Sequence, residues 1–124
     1  MKAFILMAML FCHIIDDYKL QSPVLTSLKQ KSWWQEHEPN PMYKHDYIIA
    51  LAMHAISWSF MIQLPIAIYY RFDIPHVFIF AFLINAITHG LVDDMKANRR
   101  KINLIADQLI HVVQIIITAC VLLH

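Results

Sequence analysis

The chain holds one glycine and two cysteines in 124 residues, and only 15% of its side chains are charged against 59% hydrophobic. So little polarity is unusual for a soluble protein of this size, and the length allows one domain at most. Charge is missing most completely from four runs: 3–15, 47–70, 74–92 and 108–124 contain no Asp, Glu, Lys or Arg. A helix needs about 20 residues to cross a hydrocarbon core of about 30 Å, so the last three runs are of spanning length and the first is short. No small-x-small cleavage site follows the opening "MKAFILMAMLFC", so it reads as a retained helix rather than a signal peptide. There is no internal repeat and no low-complexity tract.

The expected fold is all-α, an integral-membrane four-helix transmembrane bundle forming a single domain over residues 1–124. By hydropathy and helical length the helices run over roughly 2–20, 46–70, 74–95 and 103–123. Cys12 and Cys120 then lie toward opposite faces, too far apart for a disulfide. Of the ten basic residues, Lys19, Lys29, Lys31, Lys44, Lys96, Arg99, Arg100 and Lys101 flank or occupy two loops, and only Lys2 and Arg71 fall on the other side. The positive-inside rule puts loops 21–45 and 96–102 in the cytoplasm and both termini outside. The net charge of +1 points to no nucleic-acid partner; the asymmetry concerns topology. In the first loop, the adjacent Trp33 and Trp34 suit either a segment at the membrane surface or an ordinary solvated loop.

Chemistry is carried by the polar residues inside the spans. His13 and Asp17 share a helix face at four-residue spacing, as do His89 and Asp93, with Asn85 a turn earlier. Asp107 and His111 repeat the spacing in reverse, and the second span adds His54. At 1.5 Å rise per residue all seven reach one layer near the cytoplasmic side. Asp16, Asp46 and Asp94 read as helix ends, and His37, His76 and His124 lie outside the layer.

Intramembrane carboxylates need cations, protons or one another, and no lysine or arginine is expected deep enough to serve. Imidazole and carboxylate donors without a thiolate suit Zn, Mn or Fe, as one ion or two. The candidate metal ligands are therefore His13, Asp17, His54, His89, Asp93, Asp107 and His111. Asp17, Asp93 and Asp107 are the candidate catalytic groups, bridging ions or acting as general base, while Gln21, Asn85 and Gln108 orient them. The same residues also suit a metal or proton transporter, although the outer halves of the spans offer only Gln63, Gln114 and Thr118. Structural polar glue, and a non-enzymatic interaction protein or homo-oligomer, stay open.

The order "HIIDDYKLQ", a histidine in the second span, "HGLVDDMK" and "DQLIHVVQ" resembles a family of small bacterial and phage integral-membrane proteins of unknown function. More loosely it is similar to the YdjM-like inner-membrane proteins, which implies a metal-dependent hydrolase of the bacterial inner membrane. Combined with the layer, the expected substrate is a phosphoester or lipid head group at the cytoplasmic leaflet. Lys96, Arg99, Arg100 and Lys101 stand where they could attract its anionic part.

Overall fold

In the computed structural model, which describes residues 1–124, the chain is helical throughout and has no strand. Helix α1 covers Lys2–Ile15 and continues without a break into one π-helical turn, Asp16–Leu20. Two short helices follow, α2 over Pro23–Leu28 and α3 over Lys31–His37, then a 3-10 turn at Pro41–Tyr43. Three long helices complete the chain: α4 (Asp46–Tyr69), α5 (His76–Ala97) and α6 (Leu104–Leu122). The stretches 41–69, 76–97 and 104–122 are long and apolar enough to cross a membrane.

Local sequence accounts for several boundaries. Ser22 Oγ accepts from the Leu25 amide and Pro23 takes the first helical position, where its missing N–H costs nothing. Asn103 caps α6 in the same way, accepting from the Ala106 amide at 2.9 Å. The turn between α4 and α5 is sharp, with Arg71 and Phe72 both at positive φ before Pro75.

Helices α1, α4, α5 and α6 pack in a ring, with a smaller contact across it between α4 and α6, and α2 and α3 fold back against α4. One end of the interior is apolar, built on Met9, Trp58, Ile62, Ile66, Ile115 and Leu122. The other end is polar: of 27 buried residues, 13 are polar or charged, and most of these cluster there. The outward faces are the reverse, with Phe4, Met7, Phe11, Ile49, Phe60, Ile84, Ile87, Ile105 and Leu109 exposed. A molecule polar inside and greasy outside is arranged for a hydrocarbon surrounding rather than for water.

Candidate metal centre

All seven candidate ligands meet in the polar end, joined by Asp16. His13 and the two aspartates come from the junction of α1 with its π turn, His54 from α4, His89 and Asp93 from the last turns of α5, and Asp107 and His111 from the first turns of α6. The π turn sets both successive carboxylates against one ring: Asp16 Oδ2 is 3.6 Å from His54 Nδ1 and Asp17 Oδ1 is 3.3 Å from His54 Nε2. Asp16, expected to end a helix in water, is 1% exposed and accepts from Ser57 Oγ at 2.7 Å.

Asp93 lies at the centre. Its Oδ2 is 3.5 Å from His54 Nε2 and 3.6 Å from His89 Nε2, and its Oδ1 is 3.5 Å from His111 Nε2. Two sets of donor atoms lie close enough to share an ion: Asp17 with His54 and His89, and His89 with Asp93 and His111. His13 and Asp107 belong to neither set, although both are in the layer. The Trp58 indole can only donate, so His13 Nδ1 accepts from it at 2.8 Å; Nε2–H then donates to Gln108 Oε1 at 3.0 Å. Both nitrogens of His13 are thus engaged by protein. Gln108 also donates to Asp17 and Asp107, the orienting part expected of it.

The fit to a cation is tested by what is left unpartnered. His89 is fully buried between the rings of Trp58 and His111, at centroid distances of 4.2 and 4.1 Å, and neither of its nitrogens has a hydrogen-bond partner. His111 Nδ1–H donates to Gln114 Oε1 at 3.1 Å, an amide whose orientation is held by Asn85. Its Nε2 is left facing Asp107 Oδ1 at 3.3 Å and Asp93 Oδ1 at 3.5 Å. A nitrogen facing two carboxylates calls for positive charge between them, supplied by a proton on Nε2 or by a metal ion in its place. An imidazole and carboxylate set of this kind suits Zn, Mn or Fe, so the residues fit a metal ion.

The expectation that no basic residue reaches the layer is wrong. Lys29, from the end of α2, is 4% exposed and donates to Asp93 Oδ2 at 2.7 Å and to Gln21 Oε1. Lys96 donates to Asp107 Oδ2 at 2.8 Å. Arg99 instead pairs with Asp94 outside the layer. Trp58 had a sequence signal, since it lies four residues after His54 and shares its face. Lys29 had none, because it arrives through the fold of a loop.

The site and its scaffold define an all-helical protein with three helices fit to cross a membrane and a buried His/Asp cluster able to hold a metal ion. The chain belongs to the family described as "protein of unknown function (DUF3307)", which matches residues 5–124. No curated protein and no solved structure matches it.

Proposed function

We propose that the protein is a metal-dependent hydrolase of the bacterial inner membrane, acting on a phosphoester or lipid head group at the cytoplasmic leaflet. In this reading Lys2–Leu20 is a fourth span, both termini are outside, and the His/Asp layer opens to the cytoplasm. One observation carries the reading. A cleft of about 190 Å³ leads to Asp17, His54 and Asp93, and its walls are Tyr18, Gln21, Lys96 and Gln108. It is small and polar, and it sets a lysine beside the ligands at the polar end of the bundle.

A bound divalent ion would supply Lewis acidity and a water ionised near neutral pH. His89, Asp93 and His111 would hold it, with Asp17 and His54 as the alternative set. Asp17 Oδ1, buried and without a hydrogen-bond partner at the end of the cleft, would take a proton from attacking water. Lys96 is placed to steer the anion, and Asp107 to hold Lys96 and polarise His111. An ion pathway is disfavoured: beyond Asn85, Gln114 and Thr118, which bond to one another, Gln63 is the one buried polar side chain, tied to the Phe78 carbonyl, among Ile66, Ala119 and Leu122.

The test is hydrolysis of phosphomonoesters, phosphodiesters and phospholipids by the purified protein with added Mn or Zn. Asp17→Asn should lower turnover at least about 100-fold, whereas His76→Ala, exposed at the start of α5, should not change it. A metal-loaded protein that hydrolyses none of these classes overturns the reading.

A further inference from the structure

The position of Lys29 bears on how many ions the layer takes. Its ammonium holds Asp93 Oδ2, the oxygen that faces both His54 and His89. His89 is common to the two donor sets, so an ion bound by His89, Asp93 and His111 leaves only Asp17 and His54 for another. On the Nε2 side of His54, where Asp17 Oδ1 lies, the further carboxylate donor is Asp93 Oδ2 at 3.5 Å, and Lys29 has it; Asp16 Oδ2 stands at the opposite nitrogen. A carboxylate that bridges two cations is the usual heart of a two-ion site, and here one of the two cations is a side chain.

Charge gives the same answer independently. Four carboxylates, those of Asp16, Asp17, Asp93 and Asp107, line the layer, against the ammoniums of Lys29 and Lys96. With the imidazoles neutral, as metal ligands are, and the four carboxylates ionised, the excess is two negative charges, which one divalent ion cancels. A second ion in so dry a place would need Lys29 to leave or an anion to enter with it.

We propose that Lys29 stands in for a second metal ion, so that the layer holds one divalent cation while the α2–α3 segment is seated and two once it lifts. The seat is specific. Asn98, at the end of α5, donates to the Lys29 carbonyl at 3.0 Å and accepts from the Lys31 amide at 2.6 Å. Trp34 Nε1 donates to the Leu28 carbonyl at 2.9 Å, folding α3 onto α2. Metal loading at the second position and release of this segment are therefore one event.

The inference rests on the metal reading above, and the experiment separates the two. Equilibrium dialysis of the full chain against limiting and excess Mn is combined with hydrogen exchange of the amides of residues 25–34. Wild-type protein should hold about one ion at limiting metal and acquire a second only in excess, with exchange of the segment accelerating as it does. Lys29→Met should hold about two ions at the lower concentration, with fast exchange from the start, while Lys29→Arg keeps the cation and behaves as wild type. One ion in both wild type and Lys29→Met, or a second ion with unchanged exchange, sinks this inference alone. No ion in any of the three sinks the metal reading and this inference with it.

Discussion

His111 shows how far the centre depends on single side chains behind it. Thr118 Oγ1 donates to the Gln114 carbonyl and accepts from Asn85 Nδ2; Asn85 in turn receives the Gln114 amide, which leaves Gln114 Oε1 for His111 Nδ1. Of the polar residues of the outer half, open in sequence to a transport reading, Gln114 and Thr118 are thus tied into the support of one ring, while Gln63 donates to the Phe78 carbonyl. Gln114→Leu removes its only acceptor and should lower metal affinity about 10–100-fold. It should also destabilise the fold by about 1–3 kcal/mol, since a buried N–H is left unpaired. Metal dialysis and thermal unfolding check the two effects. Metal affinity equal to wild type would mean that His111 needs no such orientation. At this scale the four-residue spacing of His and Asp, and of His54 and Trp58, was readable in the chain, whereas the contacts of Trp58 with His13 and His89 were legible only once its helix had been set against theirs.

At the scale of elements, the π turn and the α2–α3 segment do what regular helices could not. The turn ends α1 on two usable carboxylates in succession, and the segment lies across the polar end with one lysine turned inward. Its polar attachments to the bundle are the Lys29 ammonium on Asp93 and two bonds with Asn98, which also donates to Asp94 at 2.7 Å. Asn98→Ala removes two bonds to the segment, each worth about 0.5–1.5 kcal/mol. Exchange of the Lys29–Trp34 amides should therefore rise about tenfold or more, while the middle of α4 stays protected. Unchanged exchange at Lys31 would show that packing against α4, rather than Asn98, seats the segment. The charge-free runs made the long helices readable; nothing in "SPVLTSLKQKSWWQEHEPNPMYKHD" announced that its helices turn back.

For the whole molecule the governing fact is inversion: acids and imidazoles inside one end, large apolar side chains over the outside. That arrangement suits hydrocarbon around it, and the proposed orientation rests on the eight basic residues of the two loops. Ser32, Lys101 and Asp73 are all exposed, the first two on the layer's side and the third in the α4–α5 turn. With Cys12 and Cys120 replaced by serine, a cysteine at Ser32 or Lys101 should escape a membrane-impermeant thiol reagent in intact cells, and one at Asp73 should react. Labelling in the opposite pattern would turn the bundle over and put the cleft outside.

Sequence alone determined the helical class, the apolar stretches and the identity of the imidazoles and carboxylates, because each follows from composition or from a period of 3.6 residues along one helix. Contacts between residues far apart in the chain have no such period. Only the tertiary structure decided that Trp58 and Gln108 take both nitrogens of His13, that Asp16 is buried beside Ser57, and that Lys29, 64 positions from Asp93, occupies its central oxygen. Hydropathy counts a lysine as a group that seeks water, and by that measure Lys29 belongs in a loop. A carboxylate held where water is scarce is a stronger attractor than the loop, and that attraction exists only after four helices have brought the acids together.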